Sequence, residues 1–260
     1  MFTKAIVRPP GANFAEALTT MDLGVPNYER ALQQHEAYCD ALETCGLTLI
    51  RLNPDERFPD STFVEDTAVV TGRGAILARP GAASRAGEVE SIAETLYSSF
   101  AQLLSIHEPG TLDGGDICEA EVEGKYHFFI GVSQRTNQAG AQQLATWLAS
   151  CGFTSKLVDI RGVGNILHLK SGLGYLGDNR LVVIDSLADR DEFRGHDLVH
   201  VSAGEEYAAN CVRVNDQVLV AAGYPEFEGK LQGLGYQTIA LEMSEFQKMD
   251  GGLSCLSLRF

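Results

Sequence analysis

The chain lacks several patterns that would assign a protein of its length to a common class. Its six cysteines include no Cys-x-x-Cys pair, which argues against zinc-ribbon and thioredoxin-like proteins. It has no helix-borne His-Glu-x-x-His motif, and no Gly-x-Gly-x-x-Gly opens a helix after the first predicted strand. The usual signatures of metalloprotease and dinucleotide chemistry are therefore absent.

Long apolar runs and basic residues are also scarce. No apolar run approaches the roughly 18 residues that span a membrane, and the first residues do not resemble a signal peptide. We therefore predict a cytoplasmic protein with no membrane partner and no disulfide framework. The 20 Lys and Arg are outnumbered by 35 Asp and Glu, giving a net charge of −15. Such a charge disfavours nucleic acid as a partner and favours a small cation.

What the sequence does contain is a recurring order of two short strands, an amphipathic helix and a further strand. The order recurs every roughly 40–70 residues, which divides the chain into about five copies. Five such α/β units can close into a ring that leaves only short sheet edges, whereas an open doubly wound sheet is the alternative. Since no linker, low-complexity tract or charge block divides residues 1-260, we predict one domain.

Carboxylates are concentrated in two segments. Glu65 and Asp66 interrupt the apolar stretch from Phe63 to Thr71, which we predict to be a strand, and buried carboxylates need cationic or hydrogen-bonding partners. Asp113 and Asp116 flank a Gly-Gly step without the ligand spacing of an EF-hand. Taken alone, such segments are also typical of solvated loops and hairpins.

Two further segments contribute a thiol and an imidazole. Cys255 follows Asp-Gly-Gly, and a Gly-Gly step suits a tight turn or a close backbone approach. Residues 165–171 alternate like a strand, which would place His168 and Lys170 on one face. A cysteine, a distant histidine and an acid are the generic set of a thiol nucleophile. A buried structural cysteine and a structural strand histidine are the alternatives.

Six motifs together point to one family. They are Asp60-Ser61-Thr62-Phe63-Val64-Glu65-Asp66, Leu112-Asp113-Gly114-Gly115-Asp116, Arg135-Thr136-Asn137, Leu167-His168-Leu169-Lys170, Ala209-Asn210-Cys211 and Asp250-Gly251-Gly252-Leu253-Ser254-Cys255. With them the chain resembles dimethylarginine dimethylaminohydrolases (dimethylargininases), members of the guanidine-modifying α/β-propeller superfamily, from end to end. The resemblance implies a single-domain five-bladed α/β propeller of ββαβ units with a central active-site channel.

The resemblance also implies roles for individual residues. Cys255 would be the nucleophile, His168 the general acid and base, and Asp113 the residue that orients His168. Glu65 and Asp66 would hold the guanidinium of the substrate.

The remaining substrate contacts implied by the family lie at the amino-acid end. Asp60 would lie near the α-amino group, and Arg85 and Arg135 would bind the α-carboxylate. The other members of this set are Leu18 in a mobile lid, the backbone of Met249, and Asp250.

The activity implied is hydrolysis of asymmetric dimethylarginine and monomethylarginine to citrulline and dimethylamine or methylamine. It would proceed through a covalent S-alkylthiouronium intermediate on the cysteine, with no metal and no organic cofactor. The expected partner is a small cationic guanidine compound, and the expected state is a monomer or homodimer. Arginine deiminase-like or amidinotransferase-like chemistry on another guanidine, and non-catalytic guanidine binding, are the alternatives.

Overall fold

The computed structural model describes residues 1–122 and 124–260, which divide into two compact units. Unit 1 comprises Met1–Glu65 and Asn210–Phe260, and unit 2 comprises Asp66–Ala209. Each unit has its own sheets and helices, so we describe them in turn. That the 260 residues form a single domain stays a prediction.

Unit 1 contains two three-stranded sheets. Its strands are β1 Lys4–Val7, β2 Thr48–Arg51, β12 Val212–Val214, β13 Gln217–Ala221, β14 Gln237–Leu241 and β15 Ser257–Arg259. Its helices are α1 Tyr28–Thr44, α5 Pro225–Gly233 and α6 Ser244–Gln247. The strand orders are β15-β1-β2 and β12-β13-β14. In both sheets the middle strand is antiparallel to one neighbour and parallel to the other. The chain segment that connects the two parallel strands contains a helix.

Unit 2 contains three sheets of the same design. Its strands are β3 Ala68–Thr71, β4 Gly74–Leu77, β5 Leu103–Ser105, β6 Ile117–Val122, β7 Lys125–Val132, β8 Thr154–Asp159, β9 Leu173–Gly177, β10 Arg180–Ile184 and β11 Asp197–Val201. Its helices are α2 Val89–Tyr97, α3 Gln138–Ser150 and α4 Asp185–Ala188. The strand orders are β3-β4-β5, β6-β7-β8 and β11-β10-β9. The predicted ββαβ unit is confirmed.

The apolar core of unit 2 packs α3 against the sheets. Leu144 and Leu148 on α3 are fully buried, and they belong to one cluster with Ile76 of β4 and Ile130 of β7. These two leucines are four residues apart, which places them on the same face of the helix. Asn137 caps the helix by accepting a hydrogen bond from the Gly140 N–H at 2.8 Å.

Two predicted strands are wrong at the functional motifs. Val64–Thr67 is a short 3₁₀ helix that precedes β3, so Glu65 and Asp66 do not lie in a strand. Residues 165–171 are not a strand either, because Asn165 has a left-handed φ of 63° and Leu169–Ser171 form a 3₁₀ turn. At residues 168 and 169 the backbone N–H groups bond to the side chains of Ser171 and Asp116 rather than to a neighbouring strand, which apolar alternation does not reveal.

Two strands were not predicted at all, β5 and β15. β15 follows the Cys255 motif and pairs antiparallel with β1, with Leu258 opposite Ile6. The pairing completes the sheet of β1 and β2, which sequence analysis left with only two strands.

No helix in the described ranges combines the length and the apolar character that crossing a membrane requires.

Leu144→Ala should lower the free energy of unfolding by about 2–5 kcal/mol, because it leaves a cavity beside fully buried neighbours. Leu104→Ala is the matched control, since Leu104 is 48% exposed, and it should cost less than about 1 kcal/mol. Urea denaturation followed by circular dichroism measures both. Equal losses in the two variants would show that α3 does not anchor the core.

Candidate active site

Cys255 lies in the 3₁₀ helix Ser254–Leu256 of unit 1, which leads directly into β15. The residue is 9% exposed, and its N–H donates to the Gly252 carbonyl at 3.2 Å. The thiol is therefore held on a short, rigid element that the β1–β15 pairing anchors.

The turn before Cys255 needs both of its glycines for close approach. A Cβ on Gly251 would collide with the ring of Phe63, and one on Gly252 would collide with the side chain of Asn210. The residue with a left-handed backbone is Asp250, whose φ is 57°. The close backbone approach predicted for the Gly-Gly step is confirmed, whereas the left-handed turn position falls one residue earlier.

Glu65 is buried in unit 1 with both oxygens engaged. One oxygen accepts from the Ser254 hydroxyl at 2.7 Å, and the other accepts from Nη2 of Arg259 at 3.2 Å. Arg259 is itself fixed by the Ser257 hydroxyl at 2.7 Å, which lies 2.6 Å from the Tyr38 hydroxyl. Burial opposes the charge on Arg259, but Tyr38 and Glu65 outweigh it and raise the pKa of the guanidinium. A partner for the buried Glu65 was expected, and the structure supplies two.

Asn210 holds the residue that precedes the cysteine. Its Oδ1 accepts from the Ser254 N–H at 2.8 Å, and its Nδ2 donates to the Ser254 hydroxyl oxygen at 3.1 Å. That hydroxyl can then donate only outwards, towards Glu65. The orientation of Ser254 is therefore fixed from two sides.

Two carboxylates accept hydrogen bonds from the segment around Leu18 and hold it against the rest of unit 1. Asp60 accepts from the Leu18 N–H at 3.2 and 3.3 Å, and Asp250 accepts from the Thr20 N–H at 2.5 Å and from its hydroxyl at 3.1 Å. Leu18 itself is 39% exposed, whereas Met249 beside Asp250 is buried. These contacts bring four predicted substrate-binding residues into one region, and the mobility of the lid stays a prediction.

In unit 2, His168 lies among carboxylates. Its Nε2 is 3.1 Å from Oδ2 of Asp113 and 4.0 Å from Oδ1 of Asp66. Asp113 is fully buried, and its other oxygen accepts from the Gly81 N–H at 2.8 Å. Gly115 donates its N–H to Asp66 at 2.9 Å, and a Cβ there would lie 2.8 Å from the His168 ring. The structure thus pairs His168 with Asp113, and the role of Asp113 in orienting a catalytic histidine stays a prediction.

A third carboxylate, Asp116, shapes the backbone next to His168. Its Oδ1 accepts from the Leu169 N–H at 2.9 Å, and its Oδ2 accepts from the Ser133 hydroxyl at 2.7 Å. The Leu169 N–H is thereby withdrawn from any strand ladder, which explains why this segment is not the predicted strand.

Charge determines how these groups titrate. Burial alone lowers the pKa of His168, but Asp66, Asp113 and Asp116 outweigh it and raise the pKa to about 9. Burial alone raises the pKa of Asp66, but His168 and Arg85 outweigh it and lower the pKa to about 2. The imidazole therefore carries a proton at neutral pH, and Asp66 is ionised.

Arg85 is buried in the same cluster and carries a pKa well above its usual value, because Asp66 and Glu88 outweigh the cost of burial. Its Nη1 lies 2.6 Å from Asp66, and its Nη2 lies 2.8 Å from Glu88. The structure thus gives Arg85 two internal carboxylates, and its contact with a substrate carboxylate stays a prediction. Arg135 is half-buried, and its backbone N–H donates to the Ser133 hydroxyl oxygen at 2.9 Å.

Among residues 1–122 and 124–260, two groups of side chains have the composition of a metal site. In unit 2, ligand atoms of Asp66, Asp113 and His168 lie within 4.8 Å of one another. A metal there would have to displace the proton of His168 and would compete with the cation that already pairs with Asp66. The chemistry of this group favours an imidazolium over a metal.

The second group is His35, Glu36 and Cys39 on α1 in unit 1. Burial raises the pKa of the Cys39 thiol to about 12. Since the thiolate is the metal ligand, this group is poorly suited to bind a metal at neutral pH.

Sequence analysis missed four residues that support the functional side chains. They are Glu88, Asn210, Ser254 and Arg259, of which Asn210 and Ser254 belong to motifs that carried the family resemblance without an assigned role. Arg259 alternates with Ser257 on β15, which is the one signal that could have found it, but that strand was not recognised.

No protein-family model matches the chain, but known proteins do. Over 261 residues that cover all of both proteins, it is 44% identical to the N(G),N(G)-dimethylarginine dimethylaminohydrolase of Pseudomonas aeruginosa. It superposes with a TM-score of 0.94 and 43% identity, over all of both chains, on that organism's enzyme solved as a Cys-to-Ser mutant complexed with citrulline. It also superposes on a dimethylarginine dimethylaminohydrolase with a His-to-Gly change, solved as an adduct with S-methyl-L-thiocitrulline. The TM-score is again 0.94 and the sequence identity 43%, over all of both chains.

The five three-stranded sheets and these likenesses define a five-bladed α/β-propeller hydrolase that acts on C–N bonds, as the sequence predicted. Within that class, the chain belongs to the dimethylarginine dimethylaminohydrolase family.

The raised pKa of His168 predicts a pH-dependent stability. Because its folded pKa of about 9 exceeds the unfolded value of 6.5, its contribution is fully present below pH 6.5 and is lost as pH rises to about 9. Between these pH values the free energy of unfolding of the wild type should fall, relative to that of His168→Gln, by up to about 1.4 kcal/mol per pH unit. Urea denaturation at pH 6, 7.5 and 9 measures the difference.

His107→Gln is the control, because it removes an exposed imidazole from the same unit. It should leave the pH dependence of the wild type unchanged. If the free energy of unfolding varied with pH in the same way in the wild type and in His168→Gln, a charged His168 would be contradicted.

Proposed function

We propose that this chain hydrolyses Nω-methylated arginines to citrulline and dimethylamine or methylamine. The observation that carries the proposal is the end-to-end match, at 44% identity, to the Pseudomonas aeruginosa enzyme. A relative of the same fold is known with citrulline bound, and another as an adduct with a thiocitrulline. The motifs of this chain supply a buried cysteine, a protonated histidine and its carboxylate partner.

In this proposal the substrate guanidinium binds to Glu65 and Asp66. A guanidinium presents its N–H donors in a planar fork that suits carboxylates. Glu65 is oriented by Ser254 and Arg259, and Asp66 by Arg85 and the Gly115 N–H. Both carboxylates are thus fixed before substrate arrives, which supports their use as anchors.

Cys255 is the proposed nucleophile. Its thiolate attacks the central guanidinium carbon, and a C–S bond forms in a tetrahedral adduct. His168, which carries a proton, gives it to the departing nitrogen, and the C–N bond breaks to release the methylated amine. What remains is an S-alkylthiouronium on the sulfur.

Water completes the reaction. The now neutral His168 takes a proton from water as its oxygen adds to the thiouronium carbon, and the C–S bond then breaks to free citrulline and the thiolate. Asp113 holds the imidazole through Nε2 during both steps. Its two anchored oxygens support this orienting role.

At the amino-acid end, Asp60, the Met249 backbone and Asp250 are proposed to recognise the α-amino group, with Leu18 covering it. Their clustering in unit 1 supports this assignment. Arg135 and Arg85 are proposed to bind the α-carboxylate. We further propose a cytoplasmic monomer or homodimer; the six free cysteines are typical of a reducing compartment.

Arginine deiminase-like chemistry would release ammonia, and amidinotransferase-like chemistry would require an acceptor amine. A binding protein would form no citrulline. Supplying asymmetric dimethylarginine, monomethylarginine and arginine separately, and identifying the amine released, separates these activities. Dimethylamine from the first substrate supports the proposal, whereas ammonia from arginine alone contradicts it.

Cys255→Ser should reduce citrulline formation to below about 0.1% of wild type while leaving the fold intact, because a hydroxyl is far less ionised than a thiol. Cys118→Ser and Cys211→Ser are matched controls, since both cysteines are buried, and each should retain most activity. Mass spectrometry of protein quenched with substrate should show the covalent adduct only when Cys255 is present. Turnover by Cys255→Ser with loss in a control would assign the nucleophile elsewhere.

Arg135→Ala should lower kcat/KM for monomethylarginine, because a charged partner of the carboxylate is lost. The decrease should correspond to a loss of on the order of 2–5 kcal/mol of transition-state stabilisation. Activity on N-methylguanidine, which has no amino-acid end, should be low and unaffected. Arg85→Ala should lower activity and stability together, since Arg85 is buried between Asp66 and Glu88. Equal losses on both substrates in Arg135→Ala would mean that Arg135 acts structurally.

A further inference from the structure

Unit 2 contains a cavity of about 250 Å³ whose walls are basic. Its lining includes Lys125, His127, Lys156, Arg194 and His196, and no carboxylate from the described part of the chain is among its lining residues. In a protein of net charge −15, this local excess of positive charge is unusual. None of these residues belongs to the set assigned above to hydrolysis.

Strand alternation explains how the basic side chains come together. Lys125 and His127 are two residues apart on β7, and Thr154 and Lys156 are two residues apart on β8, so each pair lies on one face of its strand. The two strands are parallel neighbours with His127 opposite Thr154. The loop before β11, which contains Arg194, closes the other side of the cavity.

Each of the two histidines that line the cavity has a buried ring nitrogen without a hydrogen-bond partner in the described structure. These nitrogens are Nε2 of His127 and Nδ1 of His196. His127 is 9% exposed, and its Nδ1 lies 2.7 Å from the Thr154 hydroxyl, so Nε2 is its ring nitrogen without a partner. A buried polar atom without a partner is costly, and a ligand that bonds to it removes that cost.

The charges of the protein around the cavity favour an anion. Burial, Lys156 and His196 lower the pKa of His127 to about 4, and burial also lowers the pKa of His196. Both rings are therefore neutral, and each can take up a proton when an anion binds. Lys156 donates to the Glu192 carbonyl at 2.9 Å, which leaves two N–H donors on its ammonium.

Arg194 forms an ion pair with Asp191 at 2.8 Å, which competes with an anion in the cavity. Both side chains of this pair are more than 70% exposed, and ion pairs in water contribute little. Arg194 can therefore exchange Asp191 for an anion in the cavity at small cost.

We propose that this cavity binds the phosphate group of a small phosphorylated molecule. A phosphate offers several acceptor oxygens at once, which matches donors arriving from both strands and from the Arg194 loop, whereas a carboxylate offers only two. The cavity is smaller than the roughly 300–1,000 Å³ typical of sites that enclose a whole ligand. It therefore encloses the phosphate group, and the rest of the ligand extends towards solvent.

Isothermal titration calorimetry in a phosphate-free buffer at low ionic strength tests the proposal on the full-length protein. Inorganic phosphate, pyrophosphate and succinate are titrated separately into wild type, the double variant Lys156→Met/Arg194→Gln, and the control Lys4→Met/Arg161→Gln. The control removes the same charge from exposed positions outside the cavity. Citrulline formation by each variant reports whether it is folded.

Wild type and control should bind phosphate or pyrophosphate saturably, and the cavity variant should bind about tenfold or more weakly, as expected for loss of two charged hydrogen bonds. Phosphate should also shift the ring proton resonances of His127 and His196 in wild type, which requires no variant. Absence of saturable binding at millimolar concentrations, or equal weakening in both double variants, would overturn the proposal. Tighter binding of succinate than of phosphate would overturn the choice of ligand.

Discussion

The burial of carboxylates beside matched cations is the constraint on which both units depend. In unit 2, Asp66 contacts Arg85, and both Asp66 and Asp113 approach Nε2 of His168. Removing one member of such a cluster leaves an uncompensated charge in a medium that solvates it poorly. In unit 1 the same balance is reached with one acid and one base, Glu65 and Arg259. The buried acids and the cations that neutralise them are therefore inseparable parts of the fold.

Polar backbone contacts decide the local conformation at these clusters. The Leu169 N–H bonds to Asp116, and the Gly115 N–H bonds to Asp66. Each contact takes a donor that a strand would have used. The functional side chains consequently project from 3₁₀ turns and loops, supported by regular sheets behind them.

The sequence was sufficient to predict the repeated unit, since apolar periodicity identifies strands and helices. It was sufficient to identify the family, because the motifs are specific, whereas the roles of the individual site residues stay predictions. It failed at residues 165–171, where alternation favoured a strand but a side-chain acceptor captured the backbone. It also failed for Arg259, since β15 is only three residues long and its partner β1 is distant in sequence. Long-range pairing of short strands leaves little local signal.

The pairing of β1 with β15 has a consequence for the order in which the chain can fold. All of unit 2 lies between the two segments of unit 1, so β1 and β2 are synthesised long before the strand that completes their sheet. Until then the outer edge of β1 exposes unpaired backbone groups, and such edges recruit other strands. Contacts so distant in sequence also form slowly, because the entropy of closing the intervening chain opposes them. The element that anchors the Cys255 turn is therefore among the last to be put in place, and the nascent chain is most prone to misassociation while it waits for that strand.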